Sequence, residues 1–346
     1  MRPLVGTLWG TLLAALLITA GLAAVARASY PEETFFNKRF ATFTIPTPAP
    51  GSLPPIVGEA RLYRVRKGDT LMDVARLYGL GYNEIVDANP GLDPWIPPAG
   101  AVVLLPMEWI LPCCTYQGIV VNIPEMRLFY YTPGGPGTTV VRTYPVGLGR
   151  DDWQTPNGTF KVIGKTVNPQ WNIPESIRQE HIVERDDPRT FIPGGAPDNP
   201  LGKYRLELTL PSYRIHGTDI PWGVGMQVSH GCVRLYPEDI EDLFPRVPIG
   251  TPGQFIYQAI KVGRRGDAAY VESHEDIYGK TPAIFREAMS ELGQHGVTDV
   301  DSRRLEDGLD DGSGLPFAVT GGGGQTAAST CHDGAANPDH CQPPNG

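Results

Sequence analysis

Two short stretches decide the reading of this chain: Tyr213-Arg214-Ile215-His216-Gly217-Thr218 and Ser229-His230-Gly231-Cys232-Val233-Arg234-Leu235. Both have the texture of short β-strands that run into glycine turns. His216 ends its strand sixteen residues before Cys232, a span that lets a loop return the strand end to the side of the thiol. His230 lies two residues before Cys232, so in an extended chain the two side chains share a face. A cysteine becomes a nucleophile when an imidazole takes its proton or stabilises the thiolate. In that setting its free pKa of ~8.5 is expected to fall below about 7. Gly231 admits close backbone approach, and the N–H groups of Gly231 and Cys232 are expected to form an oxyanion hole. Three alternatives compete. Cys232 is a buried structural cysteine, or two histidines and Cys232 hold zinc (without a fourth ligand in view), or His230 is only a strand hydrogen-bonder.

Outward from this centre the chain is strand and turn. Residues 118–122 and 126–131 read as a hairpin turning at Pro124-Glu125, and further strands are expected at 140–146, 155–162, 204–210, 213–217 and 253–257. One short helix is expected at 237–243, so this is a mostly-β domain. Residues 165–200, rich in Pro, Asn and charge and without periodicity, read as a long loop that covers a site.

Upstream lies a second compact unit. Leu62-Tyr63-Arg64-Val65 alternates like a strand, and Lys67-Gly68-Asp69-Thr70 supplies a turn and a helix cap. Leu71, Val74, Ala75 and Tyr78 then repeat on one helix face. Gly79 and Gly81 break that helix, Ile85 and Val86 mark another, and 101–105 closes the unit as a strand before Pro106. The composition changes near Leu111-Pro112, which suggests separately folded units.

The ends set the compartment. Met1-Arg2-Pro3, an apolar run over 4–25 and Ala26-Arg27-Ala28 fit an export signal, either cleaved after Ala28 or retained as an anchor. Five cysteines leave an odd thiol in an oxidising compartment: Cys331 and Cys341 can bridge, Cys113 and Cys114 are vicinal, and Cys232 remains. With a net charge of −9 and 35 Pro and 41 Gly among 346 residues, the chain is neither a nucleic-acid binder nor all-helical. Eight acidic residues against two arginines lie beyond residue 298, which reads as a disordered acidic tail. The expected organisation is a signal over 1–28, a Pro-rich connector over 29–60, the small βααβ unit over 61–107, the mostly-β domain over 117–258, an extension over 259–298 and the tail over 299–346.

The small unit, through Tyr63-Arg64-Val65, Gly68-Asp69-Thr70-Leu71, Ala75, Tyr78, Ile85 and Asn89-Pro90, resembles a lysin motif (LysM), a module that binds the N-acetylglucosamine backbone of wall glycans. Ile215-His216-Gly217-Thr218 followed by Ser229-His230-Gly231-Cys232 resembles the L,D-transpeptidases, whose YkuD fold is a β-sandwich. The likeness extends to Gly147-Leu148-Gly149, Thr155-Pro156-Asn157-Gly158-Thr159-Phe160 and Asp198-Asn199-Pro200-Leu201-Gly202. The pairing is similar to the Gram-negative periplasmic enzymes that attach the outer-membrane (Braun) lipoprotein to the wall.

That resemblance implies roles residue by residue. Cys232 would be the nucleophile and His216 the general acid/base. His230 and Ser229 would support the imidazole–thiolate geometry, and Gly231 with the Cys232 amide would bind the oxyanion. Arg234, where many members have Asn, would pair with a substrate carboxylate or form a structural salt bridge. Tyr213 would add a hydroxyl near the site or only packing. The vicinal Cys113-Cys114 and the acidic tail depart from the family pattern. The implied partners are peptidoglycan, as tetrapeptide stem and glycan strand, and an outer-membrane lipoprotein as one acyl acceptor, with no metal or cofactor. Hydrolysis at the same site, an L,D-carboxypeptidase, and a non-catalytic wall-binding protein are the competing functions.

Overall fold

A computed structural model describes residues 32–36, 38, 40–113 and 115–321. The expected export signal, Cys114, and the Cys331 and Cys341 expected to bridge lie outside the described residues. The small unit forms as its pattern requires. Strands Arg61–Arg64 and Val102–Leu105 pair antiparallel around helices Leu71–Tyr78 and Tyr82–Asp87. Thr70 caps the first helix by accepting the Asp73 N–H at 3.0 Å, and Gly79 ends it with φ 70° in the left-handed region. Leu71, Val74 and Ala75 are buried beneath.

The mostly-β domain is built on a nine-stranded sheet ordered Thr42–Pro46, Thr138–Pro145, Arg127–Pro133, Gly118–Asn122, Pro252–Ile256, Gly158–Val167, Tyr204–Leu208, Arg214–His216 and Val233–Arg234. Its fourth strand, Gly118–Asn122, is buried at every position, so both faces are covered. Alternation then sorts the side chains. Ile119, Val121, Leu128, Tyr130 and Tyr144 pack into the catalytic core with Ile240 and Leu243 of helix Pro237–Arg246. Val120, Phe129, Tyr131 and Val141 face the other way, into one core with Val65, Leu71, Val74 and Trp109 of the lysin-motif side.

The two units therefore pack through a shared core. Buried ion pairs cross the seam, Arg127 with Glu84 at 2.6 Å and Arg76 with Glu238 at 2.9 Å, while Lys38 of the connector pairs with Asp239 at 2.7 Å. The Arg127 guanidinium also lies over the Trp109 ring, 4.3 Å from its centroid. Part of the Pro-rich connector joins in, since Thr42–Pro46 is the sheet's edge strand and Ile56–Gly58 pairs with Glu108–Ile110.

The first part of the acidic tail, residues 299–321, is structured, so the expected tail boundary at 299 moves later in the chain. Helix Ser302–Asp311 is capped by Asp301, whose carboxylate accepts the N–H groups of Arg303 and Arg304 at 3.2 Å. Leu305 and Val319 bury with Ile260, Val262, Val271, Ala288 and Leu292 into a satellite core. Ordered structure thus continues to residue 321.

Lys261 fastens this extension to the rest. Its buried ammonium sits 2.8 Å from Glu125, 2.7 Å from Glu272 and 2.7 Å from the Ile110 carbonyl. Burial pushes both carboxyls up, and the ammonium opposes that shift. Lys261→Met is expected to cost about 3–5 kcal/mol, because two buried carboxylates lose their counter-charge. The urea midpoint measures this, and an unchanged midpoint would show that the lysine is not what neutralises them.

Candidate active site

His216 ends the strand Arg214–His216, which lies antiparallel to Tyr204–Leu208 and parallel to Val233–Arg234. The register pairs Ile215 with Val233 and His216 with Arg234. One step back, Cys232 falls opposite Arg214, so Cys232 and His216 are diagonal neighbours on one face. His216 is 2% exposed, and its Nδ1 lies 2.7 Å from the Gly217 carbonyl. A carbonyl only accepts, so Nδ1 carries the proton and Nε2 keeps its lone pair. Burial, then the nearby Arg234 guanidinium, holds the His216 pKa down at about 3.

Cys232 is partly exposed, and its thiol faces the Ser212 carbonyl at 3.7 Å. Burial pushes the thiol up; the Arg214 N–H and the Arg234 charge work against that without reversing it. Burial thus works against the fall below neutrality expected from the sequence. At rest this favours a thiol beside a neutral imidazole whose Nε2 is free to accept a proton.

Ser229 shapes the turn between them. Its Oγ donates to the Cys232 carbonyl at 2.6 Å and accepts the Gly231 N–H at 3.1 Å. Gly231 has φ 97°, and a Cβ there would stand 2.7 Å from Tyr213 Cε1, so glycine is required and the Tyr213 ring covers it. The Gly231 N–H is spent on Ser229, which reduces the expected two-donor oxyanion hole. Among the described residues the Cys232 N–H meets no acceptor.

His230 does not turn toward His216. Its Nε2 donates to Glu180 at 2.8 Å, with an Arg150 nitrogen 3.2 Å away and the Trp153 ring against its edge at 5.2 Å. Glu180 belongs to helix Glu175–Arg185, held between the paired strands Trp171–Asn172 and Phe191–Ile192 over a small core of Ile173, Ile177 and Ile192. The segment expected as a loop is therefore a strand–helix–strand lid, clasped to the Cys232 turn through His230. Beneath it a cavity of about 410 Å³ is lined by Arg150, Glu180, Asp219, Trp222, His230 and Arg234. The Nε of Arg234 and Oδ1 of Asp219 are buried there without hydrogen-bond partners. Glu180, Asp219 and Thr155 were not singled out as site residues from sequence; only Thr155 stood in a stretch that carried the resemblance.

His216→Ala is expected to slow the reaction at neutral pH by about 10²–10⁴-fold, with part of the rate returning above the thiol's raised pKa. In the wild type the acid limb should sit well below pH 6.5, because protonation of His216 begins only near its depressed value of about 3. Rate against pH for both proteins checks this. An alanine variant as fast as wild type near neutrality would remove His216 from the chemistry.

Comparison with known proteins sets this site in a class. Residues 116–255 match the L,D-transpeptidase catalytic domain (YkuD), and 63–106 match the LysM domain. The Escherichia coli K12 protein named "Probable L,D-transpeptidase YbiS" is 36% identical over 296 residues, covering 82% of this chain and 94% of that protein. "Probable L,D-transpeptidase YcfS" of the same organism is 35% identical, covering 80% and 88%, and "Probable L,D-transpeptidase ErfK/SrfK" of Salmonella typhimurium is 34% identical, covering 80% and 91%. The chain belongs to the L,D-transpeptidase family, with a LysM domain ahead of its catalytic domain.

Proposed function

We propose that this enzyme transfers the acyl group of a peptidoglycan tetrapeptide stem through a thioester on Cys232. Sulfur attacks the carbonyl of the third stem residue, the L-centre of diaminopimelate, while His216 Nε2 takes the thiol proton. The tetrahedral oxyanion lies at the Cys232 N–H. As the C–N bond breaks, the same proton passes to the departing D-Ala amine. An acceptor amine then attacks the thioester, His216 takes its proton, and the thiol is restored as the new amide forms. The acceptor is a diaminopimelate amine of a second stem or a lipoprotein lysine. The observation that carries this reading is the Nδ1-to-Gly217 hydrogen bond, which leaves Nε2 as a base on the face shared with Cys232.

Arg234 and the cavity beneath the lid suit an anionic stem, since its guanidinium Nε is unpartnered there. The lysin motif supplies glycan binding, and its fusion to the sheet holds a bound strand at a fixed position relative to Cys232. No helix among the described residues is long and apolar enough to cross a membrane. The export signal expected over residues 1–28 and a wall substrate both support a periplasmic location.

Mass spectrometry of wall fragments from cells with and without the protein tests the function. Stems joined through their third residues, or stems bearing a lipoprotein lysine, that appear only with the protein are expected. Tripeptide stems alone would establish the carboxypeptidase instead, and identical fragments in both cells would contradict enzymatic action on the wall.

A further inference from the structure

The 229–232 turn is braced from behind by a residue that the catalytic-domain match does not include. Tyr278, in the extension beyond residue 255, is 8% exposed and packs in the catalytic core. Its hydroxyl donates to the Gly149 carbonyl at 2.7 Å and accepts the Thr155 N–H at 3.2 Å. Thr155 Oγ1 accepts the Gly149 N–H at 3.1 Å and donates to the Gly231 carbonyl at 3.0 Å. Every donor and acceptor in this relay is used once and in one direction. Gly149 and Gly231 are in such close contact that a Cβ on Gly149 would stand 2.9 Å from Gly231 Cα. Gln227, at the start of the strand leading into the turn, donates to the Ile277 carbonyl at 3.3 Å, a second tie to the same extension.

The Gly231 carbonyl and the Cys232 N–H belong to one planar trans peptide and point in opposite directions. Fixing the carbonyl therefore fixes the aim of the N–H. We infer that Tyr278 is a positioning residue for catalysis, orienting the Gly231–Cys232 peptide through Thr155 so that the Cys232 N–H meets the oxyanion. This rests on the acyl-enzyme function proposed above and adds the C-terminal extension to the working parts of the site. Burial holds the Tyr278 hydroxyl protonated, so it remains a donor throughout the working pH range.

The test compares two reactions of Cys232 in the full chain. Acylation by a carbapenem, followed by intact mass, passes through an oxyanion; alkylation by iodoacetamide needs the thiolate but no oxyanion. Tyr278→Phe and Thr155→Val are expected to slow acylation about 10–100-fold, part of the loss seen when an oxyanion donor is removed outright. Alkylation should stay within about twofold of wild type, and Thr155→Ser, which keeps the hydroxyl, should acylate near the wild-type rate. On tetrapeptide, kcat should fall with KM unchanged. If Tyr278→Phe does not fold, Thr155→Val against Thr155→Ser reads the same relay. Unchanged acylation in the folded variants, or acylation and alkylation falling together, would overturn the positioning role. A wild-type protein that alkylates at Cys232 but never acylates would overturn the proposed function itself.

Discussion

A chain begun at Gly118 is expected to be insoluble or unfolded, although it retains the whole catalytic motif. It would bare Val120, Phe129, Tyr131 and Val141, each at most 1% exposed in the full protein. Burial of large apolar side chains of this kind is worth about 1.5–3 kcal/mol each. The truncation also strips Arg127 of Glu84, and Glu238 and Asp239 of Arg76 and Lys38. Leaving one partner of a buried pair alone costs about 3–5 kcal/mol. Against a usual total stability of about 5–15 kcal/mol, these losses are enough to unfold the domain. Soluble yield and a circular-dichroism melt decide the matter. A soluble fragment that melts cooperatively and turns over short stem peptides would show that the two units stand alone after all.

Cys232→Ala should lower turnover by about 10⁴-fold or more while leaving the melting temperature almost unchanged. The thiol is partly exposed, and the hydrogen bond it gives is a long 3.7 Å approach to the Ser212 carbonyl, so removing its sulfur breaks no short hydrogen bond. On the proposed mechanism, the chemistry loses its bond-forming sulfur. Activity is measured on soluble tetrapeptide and stability by melting. Near-normal turnover would remove Cys232 as nucleophile, and a large fall in melting temperature would restore the structural-cysteine alternative.

What the sequence made legible follows from pattern. The helix Leu71–Tyr78 could be placed because its apolar residues repeat on one face and Thr70 and Gly79 mark its ends. The two halves of the site could be paired because His216 and Cys232 each stand at a strand end beside a glycine. The lid helix Glu175–Arg185 escaped because only Ile177 and His181 are buried, too few to show a helical period. The fusion of the units escaped for a different reason. Arg76, Glu84, Arg127 and Glu238 read as solvated charges until three-dimensional pairing buries them. In hindsight the uninterrupted Ile119-Val120-Val121 run was the available signal, since a strand with one wet face would alternate. The helix Ser302–Asp311 was hidden by its acidity, although Leu305 supplies the apolar contact that seats it.

The most direct measurement is the intact mass of the enzyme quenched during turnover of tetrapeptide across a pH series, followed by peptide mapping. A tripeptide acyl adduct is expected on the peptide that contains Cys232, absent from Cys232→Ala. In the wild type it should persist into mildly acidic solution, because His216 stays neutral down to about its depressed value of 3. An adduct that maps to Cys113 or Cys114, or product that accumulates with no adduct at any pH, would contradict a thioester on Cys232.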